Sequence, residues 1–262
     1  MDNIRVKKLM GDTPHMSLDQ ANRLTAFMAE HVVQNVLELG FAHGVSTCYM
    51  AAALARFGSG SIVTIDLESA RQQEPNIEEL LARVGQSGRV TVYYEPSSYT
   101  WRLMKFLKEE RCPAFDLCYI DGAHTWFVDG LAFCLVHLLL KPGGWIIFDD
   151  LDWTHATSVW AHTGKVRRMP EDERTTPQVR MIYELLVKSH PQYHNFRVEH
   201  GWGYAQKQCD AVNESREREV VTEKVIQVER VYFGLGEFLM RCAKRLLRSS
   251  RPNAEHPLSP TL

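Results

Sequence analysis

The feature that most constrains this chain is the repeated alternation of short apolar segments with segments of helical periodicity. The apolar segments cover residues 35–39, 61–66, 89–94, 115–121 and 144–150. They are apolar at consecutive positions, which is typical of strands buried on both faces of a parallel sheet. We therefore predict an α/β fold with a doubly wound, mostly parallel sheet.

Further segments complete the predicted domain. Helices are predicted at 17–32, 45–57, from Pro75 to near Gly85, 99–110, 127–140 and 176–189. A hairpin-like pair at 193–200 and 202–207 brings the sheet to seven strands. Residues 151–176 lack regular periodicity, and we predict a functional loop there. We expect an N-terminal helical segment at 1–30, the sheet domain at 31–208, a helical extension at 209–249 and a disordered tail at 250–262.

Composition excludes several classes of protein. The formal net charge is −2 over 262 residues, which gives no reason to expect nucleic-acid binding. The six cysteines form no C-x-x-C pair, so a zinc site or a disulfide framework is not expected. The first residues lack the apolar core of a signal peptide, and no apolar run approaches the roughly 20 residues of a spanning helix. We expect a cytoplasmic protein.

The stretch "VLELGFAHGVST", residues 36–47, places an acid and two glycines where the first strand meets a helix. In a doubly wound sheet, ligands bind at the carboxyl ends of the strands. A dinucleotide fingerprint starting at Gly40 would need glycine at Ala42 and Val45, and no P-loop lysine follows. The pattern therefore predicts a nucleoside-like ligand without a diphosphate. Asp66 ends the second strand, where a carboxylate can accept ribose hydroxyls; the alternative is a plain turn and a solvated strand end.

Four motifs carry a family resemblance, namely "VLELGFAHGVST", "VTIDLE", "FDLCYIDGAH" and "LKPGGWIIFDD". In order and spacing they resemble the motifs of class I S-adenosylmethionine-dependent methyltransferases, over roughly residues 30–208. The resemblance implies a Rossmann-like fold that binds S-adenosylmethionine. The implied cofactor-binding residues are Glu38, Gly40 and Gly44 at the methionine part, Asp66 at the ribose, Ser97 or Ser98 near adenine, and in addition Ala42, Ser46 and Asp121. Ala42 stands where the family has a further glycine.

Three acids follow two neighbouring strands. Asp121 ends the fourth strand, and Asp149 and Asp150 end the fifth, so all three should converge on one rim. Clustered carboxylates repel one another unless a cation lies among them, and oxygen ligands suit Mg²⁺ or another hard divalent ion. Such an ion would lower the pKa of an acceptor hydroxyl. The alternative is a metal-free transferase in which Asp149 and Asp150 cap the next helix.

The acidic set resembles that of metal-dependent O-methyltransferases of the catechol, caffeoyl-CoA and sugar-modifying types. Carried over residue by residue, the resemblance makes Asp121, Asp149 and Asp150 the metal ligands. The catechol enzymes have asparagine where this chain has Asp150. Some sugar-modifying enzymes have a further aspartate where this chain has Ala123, so the general base must come from elsewhere.

Two histidines are candidates for that base. His124 occupies the place of the lysine base of the catechol enzymes, and an imidazole titrates near neutrality, at about 6.5. The alternative for His124 is a histidine that orients a ligand or caps the helix, and His155 is then the candidate. Trp126, Trp153 and Trp160 are predicted near the same rim, where they would stack on a sugar or aromatic ring or anchor the loop.

The C-terminal extension has an apolar stripe in steps of four and three, running from Val221 to Leu246. Gly234 and Gly236 favour a break within it. We expect the stripe to pack against the domain or against a second copy in a homo-oligomer. Basic residues from Arg241 to Arg251 leave peripheral contact with an anionic inner membrane surface as an alternative.

We therefore predict an O-methyltransferase that uses S-adenosylmethionine and Mg²⁺ or another divalent cation. The predicted acceptor is a hydroxyl of a sugar or polyphenol-type small molecule, or of a glycan precursor. Two alternatives stay open at this point. One is a metal-independent methyltransferase directed at nitrogen or a carboxylate, and the other is a non-catalytic cofactor-binding module recruited through its C-terminal helix.

Overall fold

A computed structural model describes residues 1–109 and 113–209 of the chain. The strands are β1 Asn35–Leu39, β2 Ser61–Leu67, β3 Val90–Glu95, β4 Phe115–Ile120, β5 Leu140–Phe148, β6 Tyr193–Glu199 and β7 Trp202–Lys207. The helices are α1 Asn3–Met10, α2 Leu18–Glu30, α3 Val45–Phe57, α4 Ile77–Arg83, α5 Tyr99–Lys108, α6 Trp126–Leu139, α7 Gly164–Arg167, α8 Glu171–Thr175 and α9 Gln178–Ile182. The predicted extension and tail, from residue 210 onward, lie outside the described residues.

The seven strands form one sheet in the order β3-β2-β1-β4-β5-β7-β6. All neighbours from β3 to β5 are parallel, whereas β7 pairs antiparallel with both β5 and β6. The winding reverses between β1 and β4, which places the carboxyl ends of these two strands at the topological switch point. The predicted seven-stranded α/β fold is confirmed.

Helices cover both faces of the sheet, as consecutively apolar strands require. One apolar core includes Leu24 of α2 and Tyr49 of α3. The other includes Leu103 of α5 and Phe133 of α6. The α2 helix begins where the sequence predicts, because Ser17 and Gln20 form a reciprocal capping box. These contacts hold the strand ends, and the loops that follow them, in fixed positions.

Three segments differ from the sequence-based expectation. The fifth strand begins at Leu140 and ends at Phe148, so Asp149 and Asp150 lie just beyond it. The predicted helix at 176–189 is shorter, because α9 passes into a wider π-type turn at Tyr183–Val187. The loop at 151–176 contains α7 and α8, whose starts follow the N-cap Thr163 and Pro170. Such short helices are set by local caps, and apolar periodicity does not reveal them.

Among the residues that the structure describes, no helix combines the length and the apolar character needed to cross a bilayer.

Candidate functional site

The glycine loop joins β1 to α3 through three residues with positive φ. These are Gly40 at 86°, Ala42 at 47° and Gly44 at 90°. A Cβ atom on Gly40 would collide with the backbone carbonyl oxygen of Asp121, and one on Gly44 would collide with the side chain of Ile77. From the sequence, these glycines were expected to make room for a ligand. In the structure their missing side chains make room for protein atoms, so the loop is closely packed on its own neighbours.

Glu38 lies at the end of β1 and is completely buried. Its carboxylate accepts hydrogen bonds from the hydroxyls of Ser46 at 2.5 Å, Thr47 at 2.5 Å and Thr64 at 2.7 Å. Burial raises the pKa of Glu38 to about 7, although the three hydroxyls act in the opposite direction. Glu38 therefore ties β1, β2 and the first turn of α3 together. Contact of Glu38 or Ser46 with a cofactor stays a prediction.

Asp66 is the second acid of the predicted cofactor site, and it contacts the glycine loop directly. One carboxylate oxygen accepts hydrogen bonds from the backbone N–H groups of Phe41 and Ala42, both at 2.8 Å. The other accepts the N–H of Leu67 at 2.6 Å. Asp66 thus fixes the loop while lying half-buried at the carboxyl end of β2. A ribose would meet a carboxylate that the protein has already oriented.

The end of β3 supplies the third part of this region. Ser97 is exposed, and the Ser98 hydroxyl accepts the backbone N–H of Thr100 at the start of α5. Nearby, the Tyr94 ring meets the Phe41 ring edge to face at 5.5 Å, and the Arg71 guanidinium lies 3.7 Å from the Tyr94 ring centroid. The sequence analysis did not identify this aromatic group, because Arg71 lies within a short 3₁₀ helix, Glu68–Gln72, that no motif marks.

A cluster of three potential metal ligands lies at the ends of β4 and β5. Asp121, His124 and Asp150 each offer one ligand atom, and these atoms lie within 4.8 Å of one another. His124 Nε2 is 3.3 Å from Asp150 Oδ2 and 3.6 Å from Asp121 Oδ1. This nitrogen is buried and has no partner with hydrogen-bond geometry. We name these three residues the donor cluster.

Two members of the donor cluster have an unfavourable backbone conformation. His124 and Asp150 both have φ at 53°, in the left-handed region that non-glycine residues rarely adopt. The loop that carries His124 is held by Asp129, which accepts the Tyr99 hydroxyl and the Thr125 N–H. Such a conformation persists only where surrounding contacts impose it, and it is concentrated at functional sites. Sequence patterns gave no signal for this support.

Asp149 lies beside the donor cluster but is not a member of it. It is buried, and its carboxylate accepts hydrogen bonds from the Tyr119 hydroxyl and from the backbone N–H of Asp150, the latter at 2.6 Å. Burial raises the pKa of Asp149, and the negative charge of Asp150 adds to that effect. The same two causes raise the pKa of Asp121, where the charge is that of Asp149. The predicted ligand role of Asp149 stays a prediction.

The two candidate bases differ in their electrostatic surroundings. Burial disfavours the protonated form of His124, but the carboxylates of Asp150 and Asp121 outweigh this and raise its pKa. Burial and the charge of His124 lower the pKa of His155. The Trp153 ring contacts both, with its centroid 4.7 Å from each imidazole centroid. His155 therefore carries more of the neutral form that can accept a proton at pH 7.

Only one of the three predicted tryptophans contacts the donor cluster. Trp153 does so through His124, whereas Trp160 is 63% exposed on the loop. Trp126 lines a separate cavity of about 410 Å³ between the start of α6 and the α8–α9 region. The other residues that line it are Phe127, Asp172, Glu173, Thr176, Gln178, Met181 and Leu185.

The glycine loop and the donor cluster are in direct contact. Gly40 packs on the backbone of Asp121 and Gly122, and the Asp121 N–H donates to the Leu39 carbonyl at 2.9 Å. The Asp149 N–H donates to Ile120 at 2.9 Å, which aligns the ends of β4 and β5. The structure therefore brings the implied cofactor residues and the implied metal residues to one edge of the sheet.

Comparisons with known proteins agree with this arrangement. Residues 37–151 match the model of a family described as a methyltransferase domain. No curated protein matches the chain. Among solved structures, an O-methyltransferase from Bacillus cereus in complex with SAH has a TM-score of 0.55 at 22% identity, over 79% of this chain and 89% of that one.

Two further solved structures have a similar fold. The O-methyltransferase TomG from Streptomyces achromogenes, involved in tomaymycin synthesis and solved with SAM, has a TM-score of 0.56 at 20% identity, over 79% of this chain and 87% of that one. A SAH-bound methyltransferase from Podospora anserina has a TM-score of 0.55 at 15% identity over the same shares. These likenesses confirm the predicted class I methyltransferase fold.

Proposed function

We propose, from the premise that residues 37–151 are a methyltransferase domain, that this protein transfers a methyl group from S-adenosylmethionine to a hydroxyl oxygen with the help of a divalent ion. One observation carries the proposal. The glycine loop packs directly on Asp121, so a cofactor at the loop and an ion at the donor cluster would be neighbours. The printed descriptions of similar folds, O-methyltransferases with SAM or SAH, support the same activity.

The residues at the glycine loop fit the cofactor. S-adenosylmethionine, when bound, supplies an activated methyl group on its sulfonium. Asp66 would accept the ribose hydroxyls, and the 40–44 backbone would border the methionine part. Glu38 holds this backbone in place through Ser46 and Thr47, so the loop needs little reorganisation on binding. Ser97, Ser98 and the Tyr94 ring would border the adenine.

The donor cluster also fits a divalent ion. The Nε2 atom of His124 and the facing carboxylates of Asp121 and Asp150 offer three donor atoms within 4.8 Å of one another, and two carboxylates face one imidazole. A bound ion would lower the pKa of the acceptor hydroxyl and so make its proton easier to remove. We assign the task of accepting that hydroxyl proton to His155, because its pKa is lowered and its Nε2 atom is buried without a hydrogen-bond partner. Trp153 would border the ring of the acceptor.

The acceptor in this proposal is a sugar or polyphenol-type small molecule or a glycan precursor. A vicinal diol meets the requirement well, since two adjacent oxygens can complete the coordination of one ion. The half-buried ring of Trp153, beside His124, provides a flat apolar surface of the kind that stacks on sugar and aromatic rings.

Methyl transfer from labelled S-adenosylmethionine to a panel of vicinal diols and their mono-hydroxyl analogues tests the proposal. We expect transfer to diols that excess chelator abolishes and that added divalent ion restores. Transfer that persists in chelator would support a metal-independent methyltransferase instead. Cofactor binding with no transfer to alcohols, amines or carboxylates would favour a non-catalytic binding module.

The base assignment has its own test. His155→Gln should reduce the rate of transfer about 10²-fold or more and leave S-adenosylmethionine binding unchanged. The matched control is His200→Gln, which removes an exposed histidine of the β6–β7 turn and should leave the rate unchanged. An unchanged rate in His155→Gln would remove this residue from the mechanism.

A further inference from the structure

We propose that His124 is a metal ligand, and that the donor cluster therefore binds a divalent first-row transition-metal ion in preference to Mg²⁺. This inference rests on the proposed function only for the role of the ion in methyl transfer. The ion site itself follows from the positions of Asp121, His124 and Asp150, and direct measurement of ion binding tests it.

The first argument is geometric. Ligand atoms about 2.0–2.2 Å from a first-row ion lie about 3.0–3.6 Å apart when they occupy adjacent positions. His124 Nε2 lies 3.3 Å from Asp150 Oδ2 and 3.6 Å from Asp121 Oδ1. These separations match a shared ion at the centre of the cluster.

The second argument is the state of the imidazole. The Nε2 atom is buried, lies between two carboxylates and makes no hydrogen bond of acceptable geometry. Its contacts in the ion-free protein are the charge contacts with Asp150 and Asp121, so two carboxylates face one imidazole. A divalent cation would be a shared partner for all three side chains.

The third argument is the backbone. His124 and Asp150 both keep a left-handed conformation that is unfavourable for non-glycine residues. They belong to different loops, one after β4 and one after β5, and both loops turn their side chains to the same point. Five other described non-glycine residues have positive φ, but His124 and Asp150 bring their side chains to one point, and contacts from the surrounding structure must hold both loops in place.

The donor set determines the preferred ion. Mg²⁺ prefers a shell of oxygen ligands, whereas imidazole nitrogen suits transition ions. Asp149 does not replace His124, because its oxygens already accept the Tyr119 hydroxyl and the Asp150 N–H. Asp149 is thus a positioning residue, which holds the Asp150 backbone in its unusual conformation.

Co²⁺ is the probe for the test, because its visible absorption reports ligand type and geometry without any turnover. Co²⁺ is titrated into the full chain after chelator treatment, and then Mg²⁺ is added in large excess. We expect one Co²⁺ per chain with a spectrum that indicates nitrogen ligation, and little displacement by Mg²⁺. His124→Gln should weaken Co²⁺ binding by at least about tenfold.

Matched variants separate the ligand set from surface effects. His200→Gln and Asp152→Asn remove an exposed imidazole and a carboxylate that pairs with Arg180, and both should bind Co²⁺ like the parent. Circular dichroism of His124→Gln checks that the fold is kept, and Asp150→Ala, which removes the oxygen ligand, provides a second loss of binding. Unchanged Co²⁺ affinity in a folded His124→Gln would overturn the inference, as would complete displacement of Co²⁺ by equimolar Mg²⁺.

The outcomes distinguish this inference from the proposed function. Chelator-sensitive methyl transfer that Mg²⁺ alone restores, together with unchanged Co²⁺ binding in His124→Gln, would contradict the ligand role and leave the proposed function intact. Co²⁺ binding that depends on His124, without transfer to any acceptor, would confirm the ion site and contradict the proposed function.

Discussion

The glycine loop and the donor cluster lie side by side, yet they treat their charged groups in opposite ways. In the loop region, the carboxylates of Glu38 and Asp66 accept hydrogen bonds from six protein groups. In the donor cluster, Asp121 and Asp150 face an imidazole nitrogen that has no hydrogen bond. In the loop region, protein groups therefore stabilise both carboxylates. In the donor cluster, two carboxylates face one imidazole, and a bound cation would reduce the repulsion between them.

The contrast shows how one sheet edge supports two different tasks. A cofactor loop that is closed by internal hydrogen bonds is preorganised, so little free energy is lost in ordering it. A cluster of like charges with a strained backbone stores unfavourable energy that a bound ion would relieve. Four substitutions test this difference between the glycine loop and the donor cluster.

Gly40→Ala should have the largest effect on the free energy of unfolding. The new Cβ would collide with the Asp121 carbonyl, and φ at 86° disfavours any side chain. We expect a loss of about 3 kcal/mol or more in urea unfolding. Gly85→Ala is the matched control, since Gly85 has φ at 66° but no atom within 4 Å of the added Cβ. That variant should lose only about 1–2 kcal/mol, and equal losses in both variants would refute the packing argument.

Glu38→Gln should change how stability depends on pH. A pKa raised from 4.5 to about 7 in the folded state means that the folded protein holds the proton more tightly than the unfolded chain does. This contribution to stability is present below about pH 4.5 and is lost as pH rises to about 7, a change of about 3 kcal/mol. Urea unfolding across this range should show a steeper fall for the parent than for Glu38→Gln. Parallel curves would contradict the prediction.

Tyr99→Phe should weaken the support of the loop that carries His124. The change removes the hydroxyl that donates to Asp129 and accepts the Ala123 N–H. Because Asp129 is buried, we expect a loss of about 2 kcal/mol in stability and weaker Co²⁺ binding. Tyr94→Phe, which removes a hydroxyl bonded to the exposed Glu78, is the control and should leave Co²⁺ binding unchanged. A stability loss without any change in ion binding would limit Tyr99 to a structural role.

Asp121→Asn should have the smallest effect and the opposite sign. Burial and the charge of Asp149 raise the pKa of Asp121, so the folded protein disfavours its ionised form near neutral pH. Removing that charge should stabilise the ion-free protein, by less than the losses expected above, while it abolishes ion binding. Thermal unfolding in excess chelator measures the gain. A loss of stability would indicate that the cluster is already balanced without an ion.

The sequence was sufficient for the α/β fold and for the placement of the acids at strand ends. Consecutive apolar residues mark buried strands, and the strand-end rule then places Asp66, Asp121 and Asp150 at one edge. The membership of the donor cluster was not predictable in the same way. Whether Asp149 or Asp150 turns toward His124 depends on the φ of Asp150 and on the Tyr119 hydroxyl, and these are tertiary features.

The contacts that hold the His124 loop were also not predictable from the sequence. Tyr99 and Asp129 are 30 positions apart and belong to α5 and α6, so no local pattern connects them. The reason why Gly40 and Gly44 must be glycine was not predictable either, because the atoms that exclude a Cβ come from Asp121 and Ile77. Contacts between distant elements determine both, and periodicity describes only the element itself.

The most direct test of the account is a calorimetric titration of S-adenosylmethionine in excess chelator, with methyl transfer measured in the same solution. We expect the cofactor to bind with nearly the same affinity with and without divalent ions, in the parent and in Asp150→Ala. We expect transfer to be lost in chelator and in Asp150→Ala at any ion concentration. Cofactor binding that requires the ion would contradict the claim that the glycine loop is preorganised without it. Transfer that continues without the ion would contradict the claim that the donor cluster needs an ion for catalysis.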